Sequence, residues 1–227
     1  EPSPTEHGLQ APNRAHDLRI WFEPQGVRVH DRSSTGSPEL ISMALRGVGR
    51  GAGSMAPVPG GSVSSEGSRV EIRRPGLVEW YLNSAEGLEQ GFDIAVRPAG
   101  SGPLQLELGI GAAQVSLFQD SVSFRGPGGR VLLLSKLAVR DARGRELTAR
   151  FELPSQDRLR IAVDDAEAVY PIAIDPLLTT TSDTQLESNE ALALLGYSVA
   201  PAGDVNGDGF QDIVATAVAA GSFSTLA

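Results

Sequence analysis

The sequence predicts an all-β protein. Short apolar runs with a period of two recur along most of the chain, as expected of strands that bury one face. Turn signals separate them, and 26 glycines and 15 prolines among the 227 residues supply many of these signals. No segment keeps a helical period over three turns. The pattern therefore favours a β-sandwich or a pair of packed sheets.

Two regions follow one another at the start of the chain. Residues 1–16 are polar, contain three prolines and show no periodicity, which predicts a flexible leader. Residues 17–176 hold the alternating runs and are expected to form a sandwich-like module. The runs are Leu18 to Phe22, Val27 to His30, Leu40 to Leu45, Val70 to Arg73, Leu77 to Leu82, Phe92 to Val96, Leu104 to Ile110, Val115 to Phe118, Val131 to Leu134, Leu137 to Val139, Leu147 to Leu153, Leu159 to Val163 and Ile172 to Ile174.

Two interruptions of the module are distinctive. The stretch from Gly47 to Gly67 is rich in Gly, Ser and Pro and has no strand periodicity, so we expect a mobile excursion there or a boundary between two sub-parts. Asp141 to Gly144 lies between two alternating runs and predicts a hairpin. Its Gly144 is expected to take a positive φ in a bulged turn.

The charge changes sign along the chain. Up to Arg160 there are 18 acidic and 19 basic residues, and beyond it 10 acidic residues and no basic one. An acidic, base-free end argues against nucleic-acid binding and favours cations. Within it, residues 177–190 are dominated by Thr, Ser, Asp and Glu and are expected to be a polar linker. Residues 191–227 are small and apolar apart from one acidic turn.

That acidic turn carries the clearest chemical signal. It runs Asp-Val-Asn-Gly-Asp-Gly-Phe-Gln-Asp over 204–212. Side-chain oxygens recur at Asp204, Asn206, Asp208 and Asp212, and the Phe210 carbonyl can supply another ligand. This spacing suits Ca²⁺ better than Mg²⁺, which keeps more of its water. The apolar residues on either side predict that the turn joins two strands.

Gly196 to Gly203 followed by the acidic turn resembles the FG-GAP repeat, the propeller blade of integrin α chains. Leu195 stands where the family usually has phenylalanine, and the Gly-Ala-Pro that normally follows the strand is absent. The resemblance implies that residues 191–227 form a single incomplete blade with Asp204, Asn206, Asp208 and Asp212 as calcium ligands. Bacterial relatives are exported proteins with several such blades, and closure of a propeller takes about four to eight. The segments 78–83, 87–92 and 170–176 look like the β-rich module that precedes such repeats.

Two further groups of residues in the module are candidate sites. Asp164, Asp165 and Glu167 could form an acid–base pair of carboxylates, with a solvated turn as the alternative. The aromatic residues Trp80, Tyr81 and Phe92 could form a ligand platform, with core packing as the alternative.

The sequence therefore predicts a non-enzymatic binding or adhesion protein, secreted or on the bacterial cell surface. Its expected partner is an extracellular protein or glycan, with no nucleic acid involved. No apolar run approaches the ~20 residues of a membrane span. Two alternatives remain open: a non-catalytic accessory region of an exported enzyme, and a structural spacer.

Overall fold

A computed structural model describes residues 1–51, 55–180, 194–203, 205 and 212–218. The chain divides into two compact units, Glu1–Thr181 and Ser182–Ala227. In the described residues there is no α-helix, only a short 3₁₀ turn at Pro127–Gly129. The strands are β1 Ser3–Thr5, β2 Gly8–Asn13, β3 Leu18–Glu23, β4 Gly26–Asp31, β5 Glu39–Arg50, β6 Ala56–Pro57, β7 Ser62–Glu66, β8 Arg69–Arg74, β9 Leu77–Asn83, β10 Leu88–Ile94, β11 Leu104–Gly111, β12 Gln114–Phe118, β13 Ser121–Arg125, β14 Val131–Asp141, β15 Ala149–Ser155, β16 Arg158–Val163, β17 Ile172–Thr179, β18 Leu194–Gly203 and β19 Asp212–Val218.

Two antiparallel sheets make up the first unit. The first has the order β1-β2-β3-β4-β5-β11-β16-β15, with β6 paired to β5. The second has the order β12-β13-β14-β17-β10-β9-β8-β7. Non-consecutive neighbours such as β5 and β11 show that the chain passes repeatedly between the sheets. The all-β prediction is confirmed.

One hydrophobic core lies between the two sheets. In β3, Leu18, Ile20 and Phe22 are fully buried, while the residues between them are half-buried or exposed. The Phe22 ring of the first sheet lies 5.2 Å, between centroids, from the Tyr81 ring of the second. The alternation seen in the sequence is therefore the alternation between core and outer face.

The first 16 residues form strands where the sequence predicts a flexible leader. β1 pairs with β2 and β2 with β3, and Ala11 and Asn13 are buried. The Asn13 amide donates to the Ser84 carbonyl at 2.8 Å, which ties this edge to the second sheet. His16 is buried too, and its ring contacts Thr180. Backbone pairing and these side-chain hydrogen bonds order the segment. Neither kind of interaction produces an apolar periodicity in the sequence.

The other expectations for this unit have mixed outcomes. Gly144 has a φ of 76°, and the Asp141 carboxylate accepts the backbone N–H of Arg143 at 2.9 Å, so the turn of the predicted hairpin is confirmed. Arg140 pairs with Glu146 across it, but β14 and β15 then continue in different sheets. The excursion at 47–67 is shorter than predicted, because β5 continues to Arg50 and both β6 and β7 fall within the stretch. β17 extends to Thr179, so 177–179 belong to the second sheet rather than to the linker. Residues 181–190 lie outside the described residues.

Candidate functional site

The acidic turn is flanked by the two strands of the second unit. β18 and β19 pair antiparallel, with Val199 opposite Ala215 and Gly203 opposite Asp212. Residue 203 precedes the turn and residue 212 ends it, so the strand pairing brings the two ends of the turn together. Gly203 has a φ of 74°, a conformation that strains residues with a side chain. Strands are thus present on both sides of the turn, as predicted from the sequence.

Most of the predicted calcium ligands lie outside the described residues. These are Asp204, Asn206, Asp208 and Phe210. Asp212 is the first residue of β19, and only its backbone is described. Ligation of calcium by these five residues therefore stays a prediction.

The hairpin around the turn buries little apolar surface in its own unit. Tyr197, Val199 and Ile213 are 74%, 58% and 60% exposed. A two-stranded sheet is at best marginally stable in water, because it has no second layer against which to bury a face. Repulsion among the three carboxylates of the turn destabilises the hairpin further until a cation neutralises them. The cation-ligand spacing in the sequence of this segment is therefore a clearer signal than the packing of its side chains.

Residues 195–224 match the family model of the FG-GAP repeat. The match confirms the single repeat suspected from the sequence. FG-GAP repeats typify extracellular proteins. In the part of the chain that the structure describes, no helix is both long enough and apolar enough to cross a membrane.

Whole-chain comparisons add little. No curated protein matches the sequence. Among solved structures, the chain is similar to a family GH92 α-mannosidase from Bacteroides thetaiotaomicron in complex with mannoimidazole, at 12% identity and a TM-score of 0.38. The alignment covers 74% of this chain and 30% of the mannosidase chain. A similarity this low carries no argument about function.

The carboxylates proposed as an acid–base pair have different environments. Asp165 is fully buried and forms an ion pair with Arg50, while Asp164 is exposed. The Tyr170 hydroxyl donates to Asp165 Oδ2 at 2.7 Å, and the Leu104 N–H donates to Oδ1 at 3.2 Å. Burial alone would raise the pKa of Asp165, but hydrogen bonds from Arg50 and Tyr170 outweigh it and lower the pKa. A carboxylate so firmly ionised is a structural anchor and a poor general acid.

A second buried network, not predicted from the sequence, lies between the sheets. The Glu79 carboxylate accepts hydrogen bonds from Arg74, Tyr81 and Gln90, at 2.5, 2.5 and 3.1 Å. All four side chains are buried. Burial raises the pKa of Glu79, and the three donors act in the opposite direction. The sequence does carry a signal for this network. Glu79 is an acidic residue at an inward position of an alternating strand, and a buried acidic residue has to be paired.

The aromatic residues proposed as a platform point to opposite sides of the second sheet. Tyr81 and Phe92 are fully buried in the core. Trp80 lies on the outer face, where the Arg69 guanidinium stacks 4.3 Å from the centroid of its ring. A Cβ atom added at Gly91 would come within 2.0 Å of the indole, so the indole lies directly over this glycine. These residues pack as anchors and do not form an open platform.

The same outer face carries two neighbouring carboxylates, Asp175 and Glu89. Burial, followed by the hydrogen bond and the negative charge of Glu89, raises the pKa of Asp175 to about 7. Arg140 opposes this rise. Asp175 therefore keeps its proton at pH values where ordinary carboxylates are ionised.

Proposed function

We propose that the chain is part of a non-enzymatic, extracellular binding or adhesion protein whose FG-GAP repeat is stabilised by Ca²⁺. The observation that carries the proposal is the match of residues 195–224 to the FG-GAP repeat, with an oxygen-rich turn at its centre. The pairing of Gly203 with Asp212 supports it, because a closed hairpin holds both ends of a cation loop in place. On this proposal calcium is structural, and the partner is an extracellular protein or glycan.

The environment of Asp165 supports the non-enzymatic part of the proposal. Its side chain is fully buried and its oxygens accept from Arg50, Tyr170 and the Leu104 N–H, which keeps it ionised and away from solvent. The neighbouring Asp164 is exposed and has no partner carboxylate in this network. The first unit then acts as a folded module that carries or presents the repeat.

Calorimetric titration of the chain with CaCl₂ tests the cation site. We expect weak binding, with a Kd of ~10⁻⁴ to 10⁻³ M as in other extracellular modules. Asp208→Ala removes a central ligand and should abolish the heat, while Asp120→Ala removes an exposed carboxylate of the first unit and should leave it unchanged. Equal heats for wild type and Asp208→Ala would refute the proposal.

A further inference from the structure

A cleft of about 380 Å³ lies on the outer face of the first sheet, over β5, β11 and β16. Its lining includes Ser42, Ala44, Arg46, Gly109 and Asp157. The volume falls within the range of small-molecule sites. The cleft belongs to the first unit alone and contains none of the residues of the acidic turn.

The cleft exists because two outward positions of β11 carry no side chain. Gly109 lies opposite Ala44 and Gly111 opposite Ser42 in the β5–β11 pairing. A Cβ atom at Gly109 would come within 2.6 Å of Arg46 Nε, and one at Gly111 within 2.5 Å of Ser42 Oγ. The glycines therefore allow the arginine and the hydroxyl to lie directly over the backbone of β11.

The charges around the cleft are unequally paired. Arg158 donates to Glu107 Oε1 at 2.5 Å. The Arg46 side chain, by contrast, has no hydrogen bond or ion pair with any residue that the structure describes. Asp157 Oδ1 accepts from the Ser155 hydroxyl at 2.5 Å, and this bond lowers the pKa of Asp157. Its other oxygen is therefore an ionised acceptor in the lining of the cleft that also holds the Arg46 guanidinium.

We propose that this cleft binds a sugar acid, with its carboxylate on Arg46 and its hydroxyls on Asp157 and Ser42. A guanidinium matches a carboxylate in charge and in fork geometry. An ionised aspartate accepts hydrogen bonds from hydroxyl groups and repels a ligand with several negative charges. The inference rests on the binding role proposed above and names a ligand class for it.

Titration of the full chain with sodium glucuronate, followed by saturation-transfer NMR, tests this inference. We expect saturable binding by the wild type. The affinity of Arg46→Gln should be lower by a factor of at least about ten, because a charged hydrogen-bonding partner is lost. Arg143→Gln is the matched control: it removes an exposed arginine of the hairpin after β14 and should bind as the wild type does. Gly109→Ala is a second variant, because its methyl group displaces Arg46 from the cleft while keeping the charge, and it should also weaken binding.

Three competing ligands complete the test. Glucose and acetate should each bind more weakly than glucuronate, because each supplies only half of the contacts. Glucose or acetate binding as tightly as glucuronate would overturn the proposal, as would an unchanged affinity in Arg46→Gln. Displacement of glucuronate by a short polyglutamate peptide at lower concentration would assign the cleft to an acidic protein instead. EDTA should not alter glucuronate binding, so failure of the calcium site and failure of this site are separately visible.

Discussion

The two units of the chain contrast in how they accommodate negative charge. In the first unit, the buried carboxylates of Asp165 and Glu79 are each met by an arginine and a tyrosine of the same unit. In the second, Asp204, Asp208 and Asp212 occur in a segment with no basic residue at all. Arginine supplies the counter-charge in one, and we expect a cation from solution to supply it in the other.

The same contrast appears in packing. The core of the first unit draws on both sheets, with large side chains such as Phe22, Tyr81 and Phe124 fully buried. In the second unit, Val205, Ile213 and Val214 are 74%, 60% and 51% exposed. A unit with a closed core is stable without a ligand, whereas a hairpin with exposed faces gains from any ligand that binds only its folded form.

The largest effect we expect is in the first unit. Asp165→Ala leaves the buried guanidinium of Arg50 without its carboxylate and should destabilise the unit by about 3–5 kcal/mol. Asp164→Ala, one residue away but exposed, should change stability by no more than about 0.5 kcal/mol. Urea unfolding of both variants measures this. A similar loss in the two would mean that the buried ion pair does not hold this end of the sandwich.

Calcium should act on the second unit only. At a hundredfold excess over Kd, a ligand specific for the folded form stabilises it by about 2.7 kcal/mol. We expect amide hydrogen exchange to slow between Tyr197 and Val218, with little change before Pro176. Asp208→Ala is the control that should remove the effect. Protection spread evenly over the chain would contradict independent behaviour of the two units.

The packing of the Trp80 indole over Gly91 on the second sheet should have a smaller effect on stability. In Gly91→Ala, the new methyl group would overlap the indole, which has to move at a cost of about 1–3 kcal/mol. The same substitution in a Trp80→Ala background should cost much less, because the ring is gone. Urea unfolding of the double-mutant cycle measures the difference. Equal costs in both backgrounds would show that the contact between Trp80 and Gly91 is not the cause.

Sequence periodicity was sufficient for the fold class because core positions alternate in strands such as β3. It failed for β1 and β2, whose order comes from backbone pairing and from the side chain of Asn13. It also missed β6, whose two residues are exposed and pair with Gly47 and Val48 of β5. Backbone hydrogen bonds between strands leave no trace in a hydrophobic pattern.

The candidate sites differ in the same way. The acidic turn is local, so the spacing of its oxygens is visible in nine residues and the FG-GAP match agrees with it. The partner of Asp165 is 115 residues away at Arg50, and no local pattern joins the two. The cleft at Arg46 depends on Gly109 through the pairing of β5 with β11. Sites assembled across strands require the strand order, and this sequence alone does not supply it.

The smallest effect we expect on stability concerns Asp175, which lies beside Glu89 on the second sheet. The pKa of Asp175 is raised from 3.8 to about 7, so between these values the folded chain keeps a proton that the unfolded chain has lost. Stability contributed by this proton is therefore lost as the pH rises from about 4 to about 7. Asp175→Asn removes the titration and should make the protein more stable than wild type at pH 8, by about 1 kcal/mol once solvent screening on this partly exposed face is allowed for. Near pH 3.5 the two should be equally stable.

Urea unfolding across this pH range measures the difference between Asp175→Asn and wild type. Asp120→Asn, which changes an exposed carboxylate on the turn between β12 and β13 of the same unit, should track the wild type at every pH. A difference that stays constant with pH would show that the pKa of Asp175 is not raised in the folded chain. A difference that disappears when CaCl₂ is added would mean that calcium neutralises Asp175 and Glu89 as well. The contrast between the two units would then fail. We expect neither, because Asp175 keeps its proton and has the charge of Arg140 nearby, whereas the acidic turn has no basic residue in its part of the sequence.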